Sequence, residues 1–283
     1  MSDDLAIRVT GLRKTYRGTA AVDGLDLAVH RGECFALLGP NGAGKTTTVE
    51  ILEGYRPRDG GEVAVLGTDP ARPTLDWRAR IGIVLQQASD LSELTVREIV
   101  SHFGGYYPRP RPAGEVIELV GLAAKSGAKV RELSGGQRRR LDVALGILGN
   151  PELLFLDEPT TGFDPQARRQ FWELIDLLND GGTTILLTTH YLDEAERLAD
   201  RVGVIVHGRL AAVDTPANLG GRSTAQAVVR WRDADGPREV PTDEPDKVVH
   251  DLVEQYGSLP ELTVSRPTLE DSYLAMIGAE NVQ

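Results

Sequence analysis

Three short apolar runs constrain the fold more than any other feature of this chain: ECFALLG (residues 33–39), ELLFLDE (residues 152–158) and TTILLTT (residues 183–189). Each is too short for an ordinary helix and is flanked by Gly, Pro or Asp. None shows the polar alternation of a half-exposed strand. Runs of this kind are strands covered on both faces, as in a parallel sheet. Between the last two, Phe171, Leu174, Ile175 and Leu178 fall at i, i+3, i+4 and i+7, one apolar helical face closed by Gly181 and Gly182. Strand, helix, strand in that order predicts a right-handed crossover and an α/β core. Upstream, IRVTGLRKTY and LDLAV read as edges of a different, antiparallel sheet, and GRLAAVD after Val206 reads as a late hairpin.

With 283 residues there is room for one large domain and a small one. Composition shifts near Leu219: residues 220–283 hold 12 acids and 6 bases, more than half of the chain's formal charge of −11. The expected division is residues 5–219 and a small acidic α+β domain over residues 220–283. In the latter the prolines at 237, 241, 245, 260 and 267 break the chain into short pieces. The pieces expected are a strand at 226–230, a helix at 247–255, a strand at 262–265 and a helix at 268–277. The negative balance excludes a chain-wide field for DNA or RNA, so no nucleic-acid partner is expected. One cysteine excludes an internal disulfide and fits a reducing compartment. Nowhere do 18 apolar residues run together, and MSDDLAIRV lacks the basic, apolar pattern of a signal peptide. The expectation is a soluble, intracellular protein whose membrane role, if it has one, comes through a partner.

Residues 39–47 read Gly39-Pro40-Asn41-Gly42-Ala43-Gly44-Lys45-Thr46-Thr47, the pattern G-x-x-x-x-G-K-[ST] between a buried strand and a helix. Glycines let backbone N–H groups point inward around phosphate oxygens, and the helix turns its positive end to the same anion. Lys45 reaches for the β- and γ-phosphates and Thr46 offers a hydroxyl to Mg2+. At the carboxyl end of the second apolar run, Asp157 stands where Mg2+ must be held. Glu158 follows it, placed to polarise a water for attack on the γ-phosphate. Leu133-Ser134-Gly135-Gly136-Gln137 then opens a helical stretch running to Leu148. Its glycines and serine make a second anion-binding helix terminus, which needs a phosphate other than the one in the chain's own loop.

The LSGGQ segment, lying between the phosphate loop and the Asp157 strand, resembles the signature of ABC-transporter ATPases, and the resemblance covers residues 5–219. It implies a P-loop ABC ATPase with a RecA-like core sheet, an N-terminal antiparallel β subdomain and a compact helical subdomain at about residues 87–150. It also implies that Ser134, Gly135, Gly136 and Gln137 complete the site of a second ATPase subunit, a second copy in a homodimer or else a different ATPase. Two ATP molecules are then sandwiched head to tail. Tyr16 in RKTYRG resembles the aromatic residue that stacks on adenine. Gln86 in GIVLQQ resembles the glutamine that contacts Mg2+ and the attacking water, with the downstream LTVRE favouring it over Gln87. Asp164 in TTGFDP resembles the loop aspartate that crosses the dimer, and His190 the histidine that contacts the γ-phosphate. Phe163 stands where the family usually has leucine, and Leu85 where proline often precedes the glutamine.

The tail, RPTLEDSYL, is similar to the closing helix of ATPase subunits from drug-resistance-type exporters, as are TTGFDPQARR and THYLDEAERLADRVGVI. The implied function is ATP hydrolysis that drives a separate integral-membrane permease exporting a drug, antibiotic, lipid or polysaccharide. The implied place is cytoplasmic, peripheral on the inner face of the membrane. Import, a nucleotide-dependent switch, and action on ribosomes or DNA are the other readings. Against the last stand the single ATPase domain, the absence of heptads and the acidic balance. Among the remaining residues, Cys34 reads as a small buried side chain. Arg138, Arg139 and Arg140 read as a solvated helical face, with dimer or permease contact as the lesser reading. The five histidines lack metal-ligand spacing.

Overall fold

The computed structural model describes residues 4–84, 92–233 and 235–280. Contacts divide the chain into two compact units, Met1–Val213 and Asp214–Gln283. In the first, β1 (Leu5–Tyr16), β2 (Thr19–His30) and β4 (Gly60–Val65) form an antiparallel sheet in the order β2-β1-β4. The three apolar runs form β3 (Cys34–Leu38), β6 (Leu153–Asp157) and β7 (Thr184–Thr188). Every residue of β3 and β7 is buried, as continuous apolar runs require of strands covered on both sides. With β5 (Ile81–Val84), β8 (Arg201–Val206) and β9 (Arg209–Asp214) they make a six-stranded sheet in the order β5-β6-β7-β3-β8-β9. Its pairs from β5 through β8 are parallel. The two residues joining β8 to β9, His207 and Gly208, have φ of 49° and 76°, the left-handed values a tight hairpin turn needs.

One core joins the two sheets. Ile7, Leu25 and Val63 come from the antiparallel sheet; Phe35, Phe155, Leu186 and Ile205 come from the parallel one. Val49, Ile51 and Leu52 enter it from α1 (Lys45–Leu52), so the helix that follows β3 is pinned on its apolar face. Full burial of each such side chain contributes about 1.5–3 kcal/mol. The helix expected between β6 and β7 is α6 (Pro165–Asp180), and the residues it buries are Phe171, Leu174, Ile175 and Leu178, as its periodicity predicts. After the short α2 (Leu75–Ala79), the stretch between β5 and β6 holds α3 (Val96–Gly104), α4 (Ala113–Leu119) and α5 (Gly135–Ile147), which pack on one another. Thr95 and Glu98 form a reciprocal cap at the start of α3. The short α7 (Leu192–Leu198) precedes β8.

The second unit contains β10 (Ala227–Asp233), β11 (Gly236–Thr242), β12 (Thr263–Ser265), α8 (Pro245–Tyr256) and α9 (Leu269–Glu280). Four of these lie where the sequence predicts elements. The strand β11 does not, because Pro237 and Pro241 read as chain breakers. Its sheet order is β11-β10-β12, so β11 is an edge, and the prolines pair with Arg232 and Val228 without interrupting a central ladder.

Candidate phosphate-binding site

The loop over residues 39–47 connects β3 to α1, and its three glycines, the two of the pattern and Gly42 between them, are there for separate reasons. A Cβ on Gly39 would lie 2.3 Å from the Ile205 carbonyl oxygen. One on Gly44 would lie 2.3 Å from the Ala21 carbonyl oxygen, and Gly44 also has φ of 106°. Gly42 has open space around it but a φ of 81°. Ala43 is buried and its N–H donates to the Pro40 carbonyl at 3.1 Å, closing the turn. No side chain caps α1, so the N–H groups of its first turn stay available to an anion. Asn41 and Thr46 are exposed and Pro40 and Thr47 half-buried. Lys45 is buried and folds back, donating from Nζ to the carbonyls of Gly39 at 2.6 Å and Pro40 at 3.1 Å. Burial pulls its pKa down, and the negative charges of Glu158 and Asp157 oppose that shift.

Asp157 ends β6, and Glu158 follows with φ of 43°, a left-handed conformation costing a residue with a side chain about 1–3 kcal/mol. That conformation is held from two sides. On one, Thr188 at the end of β7 donates from Oγ1 to Asp157 Oδ1 at 2.5 Å, and the Glu158 N–H donates to the Thr188 carbonyl at 3.0 Å. On the other, Arg139 from α5 donates to the carbonyls of Asp157 at 2.7 Å and Pro159 at 3.1 Å. Arg139 is only 9% exposed, so the reading of the three-arginine run as a solvated face fails at this position. His190 follows β7, and its Nδ1 lies 3.4 Å from Glu158 Oε1. Its ring packs against Tyr191 with centroids 4.1 Å apart.

The structure therefore gathers the loop, Asp157, Glu158 and His190. It leaves Ser134–Gln137 and Asp164 elsewhere: among the described residues none of these hydrogen-bonds to that cluster. Ser134 and Gln137 form a reciprocal cap at the start of α5, with Gln137 N–H donating to Ser134 Oγ at 3.3 Å and Ser134 N–H to Gln137 Oε1 at 3.1 Å. Nothing lies within 4 Å of a Cβ built on Gly135 or Gly136. Asp164 caps α6 by accepting from the Ala167 N–H at 2.8 Å. Phe163 meets the Phe171 ring edge-on at 5.9 Å, which accounts for an aromatic side chain there. Tyr16 ends β1, 38% exposed, with Lys14 and Arg56 within 5.5 Å of its ring. Gln86, together with Leu85 and Gln87, lies outside the described residues.

A hydroxyl at Thr46 and a carboxylate at Asp157 are hard oxygen donors, the chemistry Mg2+ selects. Among the described residues no group of three or more His, Cys, Asp or Glu could hold a metal alone. The set present fits an ion whose other ligands are water and phosphate oxygens. Of the two residues that hold the cluster, Thr188 was not singled out in the sequence, and Arg139 was read there as part of a solvated face. For Thr188 the available signal was a polar residue ending a fully buried strand beside the Asp157 strand.

Comparison with known proteins places the chain in a family. Residues 22–161 match the family model described as ABC transporter. The chain is 40% identical to the daunorubicin resistance ATP-binding protein DrrA2 of Streptomyces coeruleorubidus, over 98% of this chain and 96% of that protein. It is 48% identical to the daunorubicin/doxorubicin resistance ATP-binding protein DrrA of Streptomyces peucetius, over 76% of this chain and 66% of that protein. A solved structure described as an ATP binding subunit of an ABC transporter superposes with a TM-score of 0.69 at 26% identity, over 76% of this chain and 91% of that one.

Proposed function

Since the chain belongs to the ATP-binding subunits of the ABC transporter family, we propose that two copies face each other across two ATP molecules, each supplying complementary halves of the two sites. The chain is an ATPase that energises an export transporter. Its near full-length likeness to a drug-resistance relative favours a drug or antibiotic as cargo, moved by a separate integral-membrane permease. Among the described residues no helix is long and apolar enough to cross a membrane. In this reading the chain works at the inner membrane face through that permease.

The observation that carries the proposal is the clustering of Lys45, Asp157, Glu158 and His190 around one phosphate loop, with His190 Nδ1 3.4 Å from Glu158. Residues 39–47 bind the triphosphate through backbone N–H groups and Lys45, and Tyr16 stacks on the adenine. Thr46 and Asp157, joined by Gln86, would hold Mg2+, which when bound supplies charge neutralisation on the phosphate oxygens. Glu158 orients and deprotonates the attacking water, and His190 steadies both Glu158 and the γ-phosphate. From the second copy, Ser134, Gly135, Gly136 and Gln137 present a helix terminus to the same γ-phosphate, and Asp164 reaches across the interface. Catalysis of this kind is positioning and charge stabilisation.

Glu158→Gln tests it. The variant keeps ATP affinity, loses turnover by about 100-fold or more, and accumulates as an ATP-bound dimer visible by light scattering. Normal turnover would overturn the assignment of Glu158.

A further inference from the structure

Arg139 lies five residues beyond Ser134 on the same helix. At about 1.5 Å and 100° per residue, the two are separated by about 7.5 Å along the axis and face directions about 140° apart. Ser134 is exposed, whereas Arg139 is buried. The outward end of α5 is thus the segment proposed to meet the second copy's nucleotide, and its inward face grips this chain's own catalytic strand. The grip is on the backbone: the guanidinium donates from Nε to the Pro159 carbonyl and from Nη2 to the Asp157 carbonyl, with the Glu158 carbonyl at 3.5 Å. These three consecutive carbonyls bracket the left-handed Glu158 residue, where a small rotation of the peptide redirects the carboxylate. Asp142, Asp157 and Glu194 supply the negative field that keeps this buried cation tolerable. A planar fork of donors suits several carbonyls at once; a lysine ammonium does not.

We propose that Arg139 is a positioning residue that couples the two ATP sites of the dimer, passing the engagement of Ser134 with one nucleotide to the aim of Glu158 at the other. The proposal rests on the two-copy reading above. A helix drawn toward the partner's nucleotide carries Arg139 with it and draws the carbonyls of residues 157–159 in step. Glu158 then reaches its working orientation only when the partner site is closed on ATP, which prevents futile hydrolysis in an isolated chain.

The test is a double-mutant cycle in the full-length chain copurified with its membrane partner, using steady-state hydrolysis of Mg-ATP. Arg139→Ala is expected to lower kcat by about 10-fold or more with KM for ATP unchanged within about 2-fold, because the phosphate contacts of residues 39–47 are untouched. Arg139→Lys, which restores charge without the fork, recovers less than half of the loss. Ser134→Ala also lowers kcat, and the double variant is no more than about 2-fold slower than the slower single one, since both changes cut the same link. If Arg139→Ala is recovered only as aggregate, the cycle is run with Arg139→Gln, which keeps an amide donor, and is decided in the same way. A double variant slowed by the product of the two single effects overturns the coupling. Wild-type kcat in the Arg139 variants overturns the positioning role itself. Wild-type kcat in Ser134→Ala instead strikes the two-copy reading, whatever Arg139 does.

Discussion

Residues 39–47 and residues 134–137 are both glycine-rich segments that open a helix, yet the chain treats their glycines differently. At Gly39 and Gly44 a Cβ would strike the chain's own carbonyl oxygens at 2.3 Å, so the loop is glycine because its own fold leaves no room. At Gly135 and Gly136 nothing lies within 4 Å and φ is not left-handed, so neither packing nor backbone demands glycine. Lys45 of the first region is buried; in the second, Ser134 and Gly135 are exposed, Gly136 and Gln137 half-buried, and Ser134 and Gln137 cap each other. A half-site built inward is supported by its own chain. In the proposed two-copy reading, the glycines of the second segment are explained by the other copy's nucleotide.

The comparison can be broken most forcefully at Lys45. Lys45→Ala is expected to lose ATP hydrolysis by about 1,000-fold or more and ATP affinity by over about 10-fold, measured by phosphate release and equilibrium binding. Near-normal affinity would remove the loop from the site. Paired alanines sharpen the contrast next. Gly44→Ala should lower stability by about 2–4 kcal/mol, a fall in Tm of roughly 5–10 °C. Gly135→Ala should leave Tm unchanged or slightly raised, because alanine is the better helix former, while ATPase falls about 100-fold. Equal destabilisation by the two would erase the distinction.

A smaller effect lies at the end of α1 away from the loop. Glu53, capping the end of α1, is buried, and desolvation, reinforced by the charges of Asp157 and Glu50, pushes its carboxyl up to about 8. Its folded pKa exceeds its unfolded value, so the folded state binds the extra proton between about pH 4.5 and 8, and stability falls as pH rises through that window. Glu53→Gln should flatten this slope, leaving the variant about 1–3 kcal/mol more stable near pH 8, as read from denaturation profiles without nucleotide. The smallest change belongs to the outward half: Asp164→Ala removes the α6 cap at a cost of about 1 kcal/mol and should still impair dimer-dependent hydrolysis.

The parallel sheet was readable because strands buried on both faces, such as Cys34–Leu38 and Thr184–Thr188, leave unbroken apolar runs. The loop was readable because few residue types permit its backbone. Strand β11 was hidden because edge position, a property of the whole sheet, decides whether Pro237 and Pro241 are tolerated. Arg139 was hidden among Arg138 and Arg140 because a run of identical residues carries no signal of which one turns inward. Thr188 was absorbed into an apolar run, and its role exists only through a neighbouring strand, whose Asp157 accepts from its hydroxyl.

Subunit mixing tests most directly whether each site is shared between two chains. A Lys45→Ala chain lacks a working inward half and a Ser134→Arg chain lacks a working outward half, so each alone should be inactive. Mixed, they should form a heterodimer with one site in which both halves are intact, and phosphate release should exceed the sum of the separate rates. No recovery on mixing two folded, dimer-competent variants, or full activity of the Ser134→Arg chain alone, would contradict the account.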